Sequence, residues 1–249
     1  MQLKGLVGIV TGAGQGMGRE FAFALAREGA RVAICDIQIE AIEETARLVR
    51  EQTSAQVLSR VVDVSEQDQV DRFTQAVLSE WGKVEILVNN AAIHPLHRIE
   101  EITSDEWDKV LAINLKSLFL FCRAILPAMR RQKFGRIINI ASEAGKNGGT
   151  ISGLHYAASK GGVLSFTRNL ARQVGSDGIT VNAIAPGRIA TPMALKVSKE
   201  ENQIFIDRSA VKRLGEAADI ARTVVFLSSP AAGFITGETI NVNGGTLMD

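Results

Sequence analysis

Short apolar runs alternate along this chain with longer amphipathic ones. The short runs predict strands at Leu6–Val10, Arg31–Cys35, Gln56–Val62, Ile86–Val88, Arg136–Ile140, Thr180–Ile184 and Thr239–Val242. Between them, helical spacing of apolar residues predicts helices at Met17–Glu28, Ile39–Gln52, Gln67–Glu80, Asp105–Arg131, Tyr156–Val174 and Ala217–Leu227. Near-continuous apolar strands alternating with helices imply a parallel sheet covered on both faces. Right-handed crossovers make such a sheet doubly wound. The expectation is α/β, about seven strands, in one domain over residues 1–249. No repeat, low-complexity tract or linker breaks the pattern. Segment 187–215 is less regular, follows a strand end, and is expected to form a substrate lid. Ligands in such sheets bind beyond the carboxyl ends of the strands. Most of the chemically suggestive residues fall there.

Composition narrows the partners. Of 249 residues, 46% are hydrophobic and 22% charged, as in globular proteins. The formal net charge of +1 gives no reason to expect nucleic acid or an acidic membrane surface. No apolar run is read as long enough to span a bilayer. The opening Met1-Gln2-Leu3-Lys4-Gly5 leads into a strand with no signal peptide, so a cytoplasmic location is expected. Cys35 and Cys122 sit in apolar stretches without C-x-x-C spacing and read as buried reduced thiols. Nothing is assigned to a metal.

The first strand ends in Thr11-Gly12-Ala13-Gly14-Gln15-Gly16-Met17-Gly18. A glycine turn before a helix lets backbone N–H groups approach a pyrophosphate. No Lys-Ser/Thr follows, which disfavours a P-loop nucleotidase. Asp36 ends the second strand, 24 residues beyond Gly12. A carboxylate there accepts from both hydroxyls of an adenosine ribose and repels a 2′-phosphate. Two charges about 4 Å apart at an effective dielectric of about 20 repel by about 4 kcal/mol before screening. Ile37, Gln38 and Gln15 offer no compensating cation, so NAD is expected over NADP. Asp63-Val64 follows strand three, where the carboxylate either accepts from an adenine amino group or caps a turn.

Tyr156 and Lys160, four apart on a predicted helix, share one face. An ammonium beside a phenol favours phenolate, and would let a tyrosine that ordinarily titrates near about 10 act as a base closer to neutrality.

These residues carry a resemblance to the short-chain dehydrogenase/reductase family, running from about Leu6 to Gly245. The matching pieces are the Thr11–Gly18 loop, Asp63-Val64, Asn89-Asn90-Ala91-Ala92, Asn114, Ser142, Tyr156 with Lys160, Pro186-Gly187 and Ile235-Thr236-Gly237. Ala92 stands where the family usually has glycine, and Asn243 where aspartate is common. The resemblance implies a Rossmann fold and a tetrad of Asn114, Ser142, Tyr156 and Lys160. Tyr156 would exchange the alcohol proton, Ser142 orient the substrate oxygen, and Lys160 hold the nicotinamide ribose and favour tyrosinate. Asn114 would bind a water linking Lys160 to solvent. It further implies that Gly12, Gln15, Gly16, Met17, Gly18, Asp36, Ile37, Asp63, Val64, Asn90, Ala91, Ala92, Pro186, Gly187, Ile189 and Thr191 line the cofactor with Tyr156 and Lys160.

Substrate choice is expected from His94, Glu143, Gly149, His155 and Met193, beside Ile93, Pro95, Leu96 and Gly148. This set is greasy in part and holds no basic cluster. Two readings stay open: an NAD-dependent dehydrogenase of a secondary alcohol, which can be aromatic, and a 3-oxoacyl carrier-protein reductase, a class that generally uses NADPH. A third, of another class, is a non-catalytic NAD sensor. Apolar excess on helices 105–131 and 156–174, with the tail 246–249, points to a homotetramer.

Overall fold

A computed structural model describes residues 1–149, 151–191 and 198–248. Seven parallel strands form one sheet: β1 (Val7–Thr11), β2 (Arg31–Asp36), β3 (Val57–Val61), β4 (Ile86–Asn89), β5 (Gly135–Ile140), β6 (Ile179–Pro186) and β7 (Thr239–Val242). Their spatial order is β3-β2-β1-β4-β5-β6-β7, so chain direction across the sheet reverses between β1 and β4. That reversal opens a crevice beyond the ends of these two strands. This is the expected doubly wound α/β architecture, with strand limits shifted by a residue or so.

Alternation along each strand divides two cores. Val10, Val32, Ile34, Ile86, Val88, Ile138, Ile140 and Ile184 face one layer, built by α1 (Gly16–Arg27), α2 (Ile39–Thr53) and α9 (Ala217–Ser228) through Phe21, Leu25, Ile42, Val49, Val224 and Leu227. Val7, Ile9, Ala33, Leu87, Ile137 and Val181 face the other. There α3 (Gln67–Trp81), α5 (Ser117–Gln132) and α7 (Leu154–Val174) contribute Phe73, Val77, Phe121, Ile125, Leu170 and Val174. Cys35 and Cys122 lie free and buried in this second core, where burial pushes both thiols up.

Three elements differ from the expected pattern. The predicted helix 105–131 is interrupted: α4 (Ser104–Leu111) passes through a π-helical turn at Ala112–Lys116 into α5. Two helices, α6 (Ala144–Asn147) and α8 (Lys199–Arg208), lie outside the predicted elements, the second in the segment read as less regular. The rod Ser104–Gln132, 29 residues, is by length and composition long enough to cross a bilayer, which corrects the expectation that no such run exists. The charges at Lys116 and Arg123 had masked it. Here it packs on the sheet through Leu120, Phe121, Ile125 and Met129.

Candidate active site

The loop after β1 is shaped for close approach. Gly12 and Gly16 take positive φ, 63° and 56°, where side chains are strained. A Cβ on Gly18 would run into the Gly12 carbonyl, and one on Gly12 would lie 2.8 Å from the Ala91 Cα. Thus the loop, the start of α1 and the end of β4 sit in backbone contact. Asn90 fastens them: its Nδ2 donates to the Thr11 and Gly12 carbonyls at 2.9 and 3.0 Å, while Thr11 Oγ1 accepts from the Asn90 and Ala91 N–H groups. The helix α1 opens at Gln15, whose exposed side chain makes no capping bond. A helix N-terminus of this kind, with a glycine turn before it, fits a pyrophosphate.

Asp36 lies at the end of β2, beside this loop. Its Oδ2 accepts from the Gly14 N–H at 2.9 Å and its Oδ1 from the Gln38 N–H at 3.1 Å. The carboxylate therefore shapes the loop as well as facing it. Ile37 beside it is exposed. Arg19 donates to the Gly14 carbonyl and to Thr45 Oγ1. Asp63 Oδ1 accepts from the N–H and hydroxyl of Ser65 at 2.9 and 2.6 Å, so this oxygen caps a turn. Val64 is buried. Among the described residues, positive φ outside glycine occurs only at Ser54, Lys133 and Lys212, so Ala92 replaces glycine without strain.

Tyr156, Ser142 and Lys160 converge beyond β5. Helix α7 starts two residues earlier than expected, at Leu154, which places Tyr156 in its first turn. The Tyr156 phenol shares a cleft with Ser142, whose Oγ accepts from the Ala144 N–H. Lys160 is buried and donates to the Ile140 carbonyl at 2.7 Å. Burial pushes its ammonium down to about 8. The phenol does not behave as expected: burial raises its pKa, and the Ser142 hydroxyl and the Arg188 charge only counter this. Lys160 Nζ is 5.7 Å from the Tyr156 ring centre and committed to Ile140, so it does not supply the expected lowering in the protein alone. Asn114, buried in the π turn, accepts from the Ile93 N–H at 2.9 Å and donates to the Ile93 carbonyl and to Ser159 Oγ.

The expected substrate residues separate. His94, Glu143 and Gly149 line a cleft with Met17, Ser142, Tyr156, Ile189, Thr191 and Phe205. The His94 ring lies on the Tyr156 ring, centres 3.9 Å apart, and its buried Nε2 has no partner among the described residues. Burial, then the charges of Arg188 and Lys160, push this imidazole down to about 4, so it is neutral at neutral pH. Glu143 accepts from the Thr246 hydroxyl at 2.5 Å. His155 is a correction. It is wholly buried, bound to Glu106 and to the Tyr156 backbone, and does not line the cleft. Met193 lies outside the described residues. Pro186 ends β6, Gly187 N–H bonds the Val242 carbonyl, and Ile189 pairs with Gly215.

The comparisons with known proteins agree with this geometry. Residues 12–246 match a family model described as enoyl-(acyl carrier protein) reductase. A 3-oxoacyl-(acyl-carrier-protein) reductase FabG of Vibrio cholerae is 37% identical over 248 residues, covering 100% of both chains.

The chain belongs to the short-chain dehydrogenase/reductase family.

Two solved structures of short-chain dehydrogenase/reductase type superpose on nearly all of it. Levodione reductase gives a TM-score of 0.92 at 37% identity, covering 98% of each chain. A putative short-chain alcohol dehydrogenase from Sinorhizobium meliloti 1021 gives 0.93 at 33%, covering 98% of this chain and 97% of that one. The protein is thus an oxidoreductase on a fold that binds a nicotinamide cofactor. Sequence reasoning passed over Arg188, because a residue inside a backbone motif gives no sign of where its side chain reaches. It lines the cleft, stacks on Phe205 at 5.2 Å, and donates to Asn202 Oδ1 at 3.1 Å. It brings a cation to the substrate side, where the residues named from sequence hold no basic cluster.

Proposed function

We propose that the protein interconverts a secondary alcohol and its ketone with NAD(H), Tyr156 transferring the proton. The observation that carries this reading is that Tyr156 and Ser142 line one cleft, with the Lys160 ammonium 5.7 Å from the Tyr156 ring centre. A bound nicotinamide supplies the hydride acceptor or donor. The chain's own residues do the rest. Ser142 offers a hydroxyl to the substrate oxygen. Tyr156 gives its proton to a forming alkoxide in reduction and takes it back in oxidation. Its raised pKa suits proton donation, and Lys160 can favour the phenolate only on leaving the Ile140 carbonyl. Asn114 acts through Ile93 and Ser159, bonds that favour holding the helix over binding a water. The loop 12–18, Asp63–Val64, Asn90–Ala92 and Pro186–Thr191 would hold the dinucleotide. Segment 187–215 would cover the substrate, with Phe205 of α8 on its inner face.

Asp36 favours NAD(H), which we expect to bind at least about tenfold tighter than NADP(H), because a 2′-phosphate would meet this carboxylate. Calorimetry at fixed salt tests this, and equal affinities would remove it. Asp36→Ala with Ile37→Arg should shift preference toward NADP(H). It should also weaken both cofactors somewhat, since Gly14 loses its tether. A second reading, reduction of a 3-oxoacyl group on a carrier protein, is favoured by the 3-oxoacyl-(acyl-carrier-protein) reductases that match this chain over its full length. Against it, Arg130 and Lys133, which could face an acidic carrier, lie 2.9 and 4.0 Å from Asp177. A panel of free ketones, alcohols and a carrier-bound 3-oxoacyl substrate, followed by NADH absorbance, separates the two. Cofactor binding without turnover on any of them would favour the sensor.

A further inference from the structure

We propose that Glu106 and His155 form a positioning pair that fixes the backbone of Tyr156. The pair rests on the reading of Tyr156 as the proton-transferring group.

Gly153 stands at the N-cap of α7 and has no side chain to cap the orphan N–H groups of the first turn. His155 does that work from inside the turn. Its Nδ1 accepts from the Tyr156 N–H at 2.9 Å. An imidazole nitrogen that accepts must carry a lone pair, so the proton lies on Nε2. Nε2 in turn meets Glu106 Oε1 at 2.7 Å, and a carboxylate there accepts that proton's hydrogen bond. Glu106 thereby selects the one tautomer that can hold Tyr156. The ring packs closely on Gly153, where an added Cβ would fall 2.6 Å from His155 Cε1 and 2.7 Å from the Pro95 carbonyl.

Glu106 is itself fixed. It lies in the first turn of α4, its own N–H bonded to Thr103 Oγ1 at 3.1 Å. It also takes His97 Nδ1, from the loop that carries His94, at 2.9 and 2.8 Å. The other end of Tyr156 is held as well. Its carbonyl accepts from Ser159 Oγ at 2.7 Å, and Ser159 accepts from Asn114 at 3.1 Å. The Tyr156 peptide groups are therefore held between α4 and the π turn. A phenol delivering a proton to a substrate oxygen needs its position fixed to a fraction of an ångström.

The test has two parts. Long-range 1H–15N spectra of the full chain labelled with 15N-histidine report the tautomer of His155. The chain has three histidines, and His94→Gln and His97→Gln variants assign them. A neutral ring with its proton on Nε2 is expected; a proton on Nδ1 overturns the proposal, and this measurement needs no substrate. Kinetics of His155→Leu and Glu106→Gln form the second part. His155→Leu should lower kcat about tenfold or more, leave the NADH Kd within about twofold, and enlarge the solvent deuterium isotope effect. Glu106→Gln should fall between, because an amide can still accept but no longer enforces the tautomer. Turnover is referred to enzyme that binds NADH, so lost folding does not count. Normal kcat and isotope effect in His155→Leu would make the pair merely structural and overturn the proposal. Turnover retained by Tyr156→Phe would instead overturn the underlying reading, whatever His155 does.

Discussion

Tyr156 carries a proton that the fold holds on it. Burial raises the phenol, and the neutral His94 ring covers its face. Tyr156→Phe keeps the ring and its packing but removes the transferable proton. Turnover is expected to vanish while the NADH Kd stays nearly unchanged, as titration of cofactor fluorescence will show. Lys160 makes a prediction of the opposite kind, about stability. Its folded pKa of about 8 lies below the ordinary lysine value because burial disfavours the ammonium. Between pH about 8 and about 10.5 the unfolded chain holds the extra proton, so stability rises with pH across that window. Below it the cost is fully present, about 3 kcal/mol for a shift from 10.5 to about 8. Lys160→Met removes this cost and loses the Ile140 bond, worth about 1 kcal/mol. The inactive variant should thus be the more stable at pH 7 without cofactor, with the advantage shrinking towards pH 10. Thermal unfolding at both pH values checks it, and a pH-independent difference would contradict the assigned cost. The Tyr156–Lys160 pair was legible from its spacing only together with the other motifs along the chain. The electrostatic sign was not, because it depends on where Nζ points, and a carbonyl of β5 decides that.

The π turn is the element that most changes the picture drawn from sequence. Periodicity reads 105–131 as one helix, since one extra residue in a turn barely disturbs an apolar stripe. That extra residue turns the Asn114 amide inward, onto both peptide groups of Ile93 and onto Ser159. Asn114→Ala leaves these three groups buried and short of a partner. A loss of about 2–4 kcal/mol is expected from the unmet donors and acceptors, measured by urea unfolding, together with a lower kcat. A loss below about 0.5 kcal/mol would show that water replaces the amide freely. The central strands were legible because parallel strands buried on both faces leave unbroken apolar runs, while the edge strands β3 and β7 are only partly buried and show weaker runs. The α6 turn and α8 were not, being short or weakly amphipathic. His155 was misplaced for a related reason. A histidine beside the reactive tyrosine reads as a cleft residue until the helix start is known. The true start, at Leu154, turns it away towards α4.

Assembly is the scale at which the remaining apolar surface finds its use. On α5, Leu118, Phe121 and Ile125 are buried, yet Phe119 is 47% exposed with Arg123 lying over its ring. On α7, Val163, Leu164, Leu170 and Val174 are buried, while Leu154 is 49% exposed. The sheet therefore consumes most of the apolar excess read from these two helices, and less is left than the sequence suggested. The opposite end of the sheet adds Phe226, Phe234 and Met248, exposed by 42%, 103% and 76%. Two separate apolar faces on one chain suit two kinds of two-fold contact, which together make the homotetramer we propose. Each contact would bury more than about 1,000 Å² if obligate. The first face lies on the helices that carry Asn114, Tyr156 and Lys160, so its partner would also stiffen the cleft. Phe119→Glu places a charge in that contact, and Phe234→Glu in the other. Each should halve the assembly to a dimer, by light scattering at micromolar concentration, and the two together should give monomers. Phe119→Glu should cost more activity than Phe234→Glu, because the first face lies on the helices that carry the proton-transferring residues. A wild-type monomer with full activity would end the proposal, and a wild-type dimer would leave one face standing.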